Sequence, residues 1–339
     1  MGRLMRVLAA IVLCACAATA VHAKTRAAYF YHYMEPGHLD RLAAVRFDTA
    51  IIHWIGDSLG TRGQREIAAF MDRGRTVGVT VVPQWSLQQP GRFVVSPDSR
   101  RYTWGNGRIE RSIPCPLDTA YWRSALIDRA DEMLAAAPRA RRLAVDLEFW
   151  VGGRHHWDAG ACRCPHCVEE YRAGVRVSSD ARRLSGLMGW QEAELERRLV
   201  PLLETFALRH PGVELGVFDL DYVSFAHRAF GRALARTRVP TASWCEKSYS
   251  EGASPLGSAR RRLDALGLQG APLYGGLWLQ RFRPDALTSN ARAIRAASDG
   301  WWVFTTYSLW NEPSKLTGPY TLPRPADDYW KALQEANAP

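Results

Sequence analysis

The stretch LAVDLEFW, residues 143–150, opens as an apolar β-forming run and closes in two acids and two aromatics. A run of that length and composition reads as a strand buried in a parallel sheet, where the carboxyl end of the strand carries chemistry. The pattern recurs in runs beginning at Arg26 (RAAYFYHY), Asp48 (DTAIIHWI), Val77 (VGVTVVPQW), Leu215 (LGVFDLD), Thr241 (TASWCE), Pro272 (PLYGGLW) and Trp301 (WWVFTTYSLW). Ala/Leu/Arg-rich stretches of helical period lie between them. Residues 65–73 put Ile67, Phe70 and Met71 on one face, and residues 192–210 do the same with Leu195, Leu199, Leu202, Leu203 and Phe206. Strands alternating with helices in this way predict a single (β/α)8 TIM barrel of the α/β class over residues 24–339. The fourth connection, Trp150 to Pro211, is long enough to hold an excursion before its main helix. No internal repeat or low-complexity tract interrupts the pattern.

Of the 339 residues, 47% are hydrophobic and 23% charged, which excludes disorder, collagen and a multi-span membrane protein. Residues 1–23 combine Arg3 and Arg6, an apolar run from Val7 to Val21 and the small-residue end Val21-His22-Ala23. They read as a secretory signal peptide, which predicts a secreted or periplasmic protein without stable membrane insertion after cleavage. The net charge is +10, but lysine occurs only at positions 24, 247, 315 and 331, and the arginines are scattered through helices without interleaved aromatics. That pattern argues against nucleic acid as a partner. Oligomeric state is not legible.

In a barrel of this kind the strand ends converge on one mouth. The residues there are acids, amides and aromatics: Tyr31, His53, Trp54, Trp85, Trp150, Tyr222, Trp244, Trp278, Tyr307 and Trp310, with Asp146, Glu148, Asp219, Asp221 and Glu246. Aromatic faces stack on the C–H surfaces of sugar rings, while carboxylates hydrogen-bond hydroxyls and supply acid and base for glycosidic cleavage. A carbohydrate is therefore the expected partner. Asp146 and Glu148, at i and i+2 on one strand, point to one face. Two carboxyls that close raise one pKa, so Glu148, nearer the rim, is the expected general acid. A second carboxylate could come from Glu246 first, then Asp219 or Asp221. Glu312, just past strand eight, reads as a loop cap.

Cys162, Cys164 and Cys167 form C-x-C-x-x-C after the fourth strand, and Cys115 lies upstream. Four thiolates from two loops fit a closed structural zinc site, with His155, His156 or His166 as substitutes for one ligand. In an oxidising compartment a disulfide within the cluster is the competing reading. Cys245, the remaining cysteine after the leader, reads as a small buried hydrophobe.

The spacing Cys115…Cys162-x-Cys164-x-x-Cys167, with a strand-four glutamate shortly before the second cysteine, resembles the zinc cluster of glycoside hydrolase family 42 β-galactosidases and related bacterial barrel glycosidases. The phrase CRCPHCVEEYR matches their style, and the resemblance covers about residues 114–172. It implies Glu148 as the acid/base and the four cysteines as zinc ligands. Two positions depart from that family. Leu147 stands where those enzymes have Asn before the acid, and the strand-seven end GGLWLQRF holds no acid for their nucleophile. The pair Asp146-x-Glu148 also resembles the end of the strand-four signature of chitinase-like barrels, where the first acid orients the substrate's own N-acetyl group. Expected function is thus a glycosidase, with a non-catalytic glycan-binding barrel at the cell surface as the alternative. No G-x-S-x-G or H-E-x-x-H motif supports another hydrolase class.

Overall fold

A computed structural model of the chain describes residues 24–31, 34–54, 60–87, 100–147, 150–151, 154–155, 160–174, 184–222, 224–311 and 318–338. Residues 1–23, Glu148, His156 and Glu312 lie outside the described residues, and of Trp150 and His155 only the backbone is described.

The strands, in chain order, are β1 (Thr25–Tyr31), β2 (Thr49–His53), β3 (Thr80–Ser86), β4 (Arg101–Thr103), β5 (Ile109–Pro114), β6 (Arg142–Asp146), β7 (Trp150–Val151), β8 (Arg154–His155), β9 (Glu214–Phe218), β10 (Thr241–Cys245), β11 (Leu273–Trp278) and β12 (Gly300–Phe304). Eight of them close a barrel in the order β1-β12-β11-β10-β9-β6-β3-β2, every pair parallel. These eight are the runs read from the sequence. Two antiparallel hairpins, β4–β5 and β7–β8, are inserted after β3 and β6. The first lies in the connection between β3 and β6.

Period-two alternation sorts the strand residues into two cores. Val145 and Leu147 face the helical ring, as do Phe30 and Ile52, while Ala27, Tyr29, Ile51, Val82, Ala144, Phe218, Ala242, Trp244, Tyr274 and Trp302 fill the lumen. Two indoles fit there because glycine lies opposite each. A Cβ on Gly216 would come within 2.3 Å of Trp244 Nε1, and one on Gly276 within 2.6 Å of Trp302.

Among the covering helices, Leu187–Arg209 buries Leu195, Leu199, Leu203 and Phe206. It is tied to Phe225–Ala235 by Arg228, Arg232 and Arg236, which reach Glu192 and Glu196. The helical segment after β5 begins at Thr119, capped by Asp118, whose carboxylate accepts from the N–H groups of Ala120 and Tyr121 at 3.0 and 3.2 Å. A π-helical stretch at Arg123–Asp128 displaces its carbonyls from the regular ladder. The Trp85 indole donates to one of them, Ala125 O, at 2.8 Å. Among the described residues no helix is long and apolar enough to cross a membrane.

Candidate active site

At the carboxyl ends of the strands, the chain past β9 turns sharply at Asp219, a non-glycine residue with φ of +53°. Aspartate tolerates that left-handed conformation because its short side chain hydrogen-bonds locally. Here its N–H donates to Trp244 O at 3.0 Å and its carboxylate accepts the Glu246 N–H at 3.2 Å. Asp219 thereby fixes the first turn beyond the neighbouring strand β10. Within that turn the Tyr249 hydroxyl donates to Glu246 Oε1 at 3.1 Å.

Tyr249 marks the centre of the mouth. Its ring stacks on Phe304 at 5.4 Å and meets Trp302 and Trp278 edge-on at 5.2 and 5.9 Å. Burial, followed by the negative field of Glu246, the Tyr29 phenol, Asp219 and Asp146, pushes its phenol well above the ordinary tyrosine range. Of the predicted carboxylates, Glu246 bonds this hydroxyl directly, while Asp219 and Asp146 add only their negative field. Asp146 is 9% exposed at the end of β6.

Below this ring the Tyr29 hydroxyl bonds both to His53 Nδ1 and to Gln84 Oε1, the latter at 3.1 Å. Tyr31 lies over His53, 5.8 Å between centroids, and packs edge-on against Tyr307 at 6.0 Å. Tyr307 in turn meets Tyr320 at 5.7 Å. The Arg281 guanidinium stacks on Trp278 at 4.3 Å. Tyr31, His53, Trp278 and Tyr307 thus share the mouth, together with Tyr249 and Phe304.

Six of the expected site residues make other contacts. Trp54 and Trp85 follow inward-facing His53 and Gln84, so alternation turns both outward. Trp54 packs on Phe70, and Trp85 is held by the π-helical carbonyl. Trp244 forms part of the lumen floor, stacked on Phe218 and 1% exposed. Trp310 stacks on His38 at 4.1 Å and against Trp330 at 4.8 Å. Asp221 is fully buried, with Arg262 at 3.5 Å and Lys247 at 4.0 Å, and Arg262 belongs to the helical ring. Tyr222 lies beneath the Lys247 ammonium, 5.2 Å from its ring centre.

The four cysteines converge beside the mouth. Cys115, Cys162, Cys164 and Cys167 are all buried, with their sulfurs within 4.8 Å of one another and no disulfide among them. Tetrahedral zinc–thiolate geometry needs S···S separations of about 3.8 Å, given Zn–S bonds of about 2.3 Å; the Cys115–Cys164 pair is at 3.8 Å and the Cys115–Cys167 pair is closer, at 3.2 Å. The N–H groups of Thr103 and Leu117 point at the Cys162 and Cys115 sulfurs, at 3.5 and 3.4 Å. Such donors stabilise thiolates. Fully buried Gln191 grips the Cys162 backbone in both directions, Nε2 to O at 2.7 Å and N to Oε1 at 3.0 Å. Hydrogen bonds from Cys115, Cys162 and Cys167 hold the Cys164 thiol well below its ordinary value, and bonding to its neighbours raises Cys115. The donor set is compatible with a metal site that cross-links the β4–β5 hairpin region to the helix Pro165–Gly174. His166 on that helix is exposed and outside the set. Cys245 is fully buried, as read from the sequence.

No family model and no curated relative matches the chain. Solved structures do. An α-L-fucosidase, isoenzyme 2 from Paenibacillus thiaminolyticus, superposes with a TM-score of 0.54 at 9% identity over 93% of this chain and 49% of that one. An enzyme of glycoside hydrolase family 138 targeting pectin rhamnogalacturonan II gives 0.50 at 11% identity, over 93% and 39%. An O-GlcNAc hydrolase of Thermobaculum terrenum gives 0.49 at 10%, over 93% and 63%. The chain thus spans less than two thirds of the length of these proteins. At such identities the likeness establishes the barrel.

Proposed function

We propose that this chain is a secreted or periplasmic glycosidase that cleaves a poly- or oligosaccharide by carboxylate acid/base catalysis. The observation that carries the reading is the Glu246 carboxylate, bonded by the Tyr249 hydroxyl and fixed through its own N–H on Asp219, inside an aromatic ring at the carboxyl end of a closed barrel. Buried carboxylates and stacked aromatics together are what glycosidic cleavage requires. Two structural neighbours, an α-L-fucosidase and a family 138 glycoside hydrolase, agree with it.

Glu148 is the general acid in this reading. Glu148 lies outside the described residues, and its assignment rests on the sequence, where it stands two residues after Asp146 at the end of the strand-four run. It protonates the leaving glycosidic oxygen. Glu246, with one oxygen held by Tyr249, is the second carboxylate and either activates water or attacks the anomeric carbon itself. Asp219 fixes Glu246, and Asp146 orients the substrate. Tyr31, Trp278 and Tyr307 supply stacking faces.

The cysteine cluster holds a structural zinc in this reading, with Cys115, Cys162, Cys164 and Cys167 as ligands. Bound zinc supplies a closed tetrahedral cross-link and no catalytic position. The chain's own contribution is to stiffen the segment that follows Glu148.

The test is release of new reducing ends from a panel of neutral, acidic and N-acetylated glycans by the purified chain. Cleavage of one class supports the reading. Saturable binding without cleavage by the metal-loaded protein supports a non-catalytic glycan-binding barrel instead. Export is tested separately by the mature N-terminus, expected at Lys24.

A further inference from the structure

The strands enter the barrel on the face opposite the mouth, and there a cavity of about 610 Å³ opens between two helix ends. Arg75 lines it from the last turn of the helix Gly60–Val77, and Arg139, Arg141 and Arg142 line it from the link that leads into β6. Two of these charges are answered: Arg75 lies 3.5 Å from Asp72, and Arg142 lies 3.4 Å from Glu214. Arg139 and Arg141 are exposed, and among the described residues their side chains have no ion pair or hydrogen bond. The carboxyl ends of the two helices contribute about half a negative charge each. They offset about one of the two free guanidinium charges, so about one positive charge stays uncompensated in a concave site.

We infer that this cleft is a binding site for a phosphate-type oxyanion, separate from the mouth. A guanidinium presents paired N–H donors in a planar fork, and two forks on one cavity wall match a tetrahedral oxyanion better than a carboxylate, which one fork satisfies. The buried floor of Val79, Val81 and Ala140 keeps the cavity shaped when nothing is bound. Strand β1 starts on the same face, where the Thr25 N–H donates to Asp299 O at 3.3 Å. A lipid headgroup is one source of the phosphate, and free phosphate is the other. The inference does not rest on the glycosidase reading.

The experiment is calorimetric titration of inorganic phosphate into the full chain at low ionic strength, where screening is weak. Wild type is compared with Arg139→Ala/Arg141→Ala, with the corresponding double lysine variant, and with Arg172→Ala/Arg261→Ala, two exposed arginines outside the cleft. Phosphate affinity is expected to fall about tenfold or more in the double alanine variant, to recover in part with lysine, and to hold in the distant control. Vesicles of phosphatidylcholine with and without phosphatidylglycerol then distinguish the sources. Capture by anionic vesicles only, lost in the double alanine variant, assigns the headgroup; phosphate binding without capture assigns the free anion. Neither binding event, or an equal loss in the distant control, overturns the site. The substituted side chains are exposed, so unchanged thermal midpoints check that the variants fold.

Discussion

The Glu246 N–H donates to Asp219 Oδ1 at 3.2 Å, so the residue that ends one strand's turn fixes the acid that begins the next. Asp219 does this from a left-handed backbone that alanine adopts only at a cost of about 1–2 kcal/mol.

Asp219→Ala removes both the acceptor and the tolerated backbone, and turnover is expected to fall about 100-fold through misplacement of Glu246. Asp219→Asn keeps an acceptor and the same backbone, so its loss is expected to be much smaller. Steady-state kinetics on both variants checks this. Equal losses would mean that the Asp219 charge itself takes part in the chemistry.

The cysteine cluster makes a metal prediction. The purified chain is expected to carry about one zinc, measured by plasma mass spectrometry, and chelation is expected to lower the thermal midpoint. Cys162→Ser and Cys115→Ser are each expected to abolish stoichiometric zinc. A metal-free chain whose mass reveals an oxidised cysteine pair would contradict the site and favour a disulfide.

Gly216 and Gly276 give the lumen room for its indoles. Gly216→Ala places a methyl group against Trp244 Nε1, and Gly276→Ala places one against the Trp302 ring. Overpacking of this kind costs about 1–3 kcal/mol. Denaturant melts of both variants are expected to show that loss, and wild-type midpoints would contradict the packing described.

The helix pair Leu187–Arg209 and Phe225–Ala235 makes a pH prediction. Burial alone would raise the Glu192 and Glu196 carboxyls, but hydrogen bonds from Arg228, Arg232 and Arg236 outweigh it and hold both below the usual range. An acid depressed in the folded state contributes stability above its unfolded pKa, about 4.3, and loses it as pH falls through the folded value. Arg232→Met is expected to cost about 1 kcal/mol at pH 7, given the partial exposure of the pair, and progressively less below about pH 4.3. A deficit of the same size at pH 3 would contradict the ion-pair origin.

The barrel was legible because each of its strands is a short apolar run with chemistry-bearing residues at its end, as in LAVDLEFW. Side-chain direction was not read as well, although the signal was there. His53 and Gln84 face the lumen, so Trp54 and Trp85 had to face the helices once the period-two rule was applied to each strand. The β4–β5 hairpin went unread despite its Gly105-Asn106-Gly107 turn, in which Gly107 has φ of +85°. Tyr249 stands three residues after Glu246, but its bond to that acid depends on a helical turn, Ser248–Glu251, that no apolar pattern announces. The convergence of Cys115 with Cys162, Cys164 and Cys167 followed from spacing alone. Gln191, which clamps Cys162, carried no signal, since its role depends on where the helix Leu187–Arg209 docks.

The central claim is that the mouth carboxylates perform glycosidic cleavage, and the most direct measurement is turnover and sugar affinity, side by side, in Glu148→Gln and Glu246→Gln. The account predicts that both variants fold, bind the cleaved glycan with wild-type affinity and lose turnover by about 100-fold or more. Variants that cleave at the wild-type rate would contradict it.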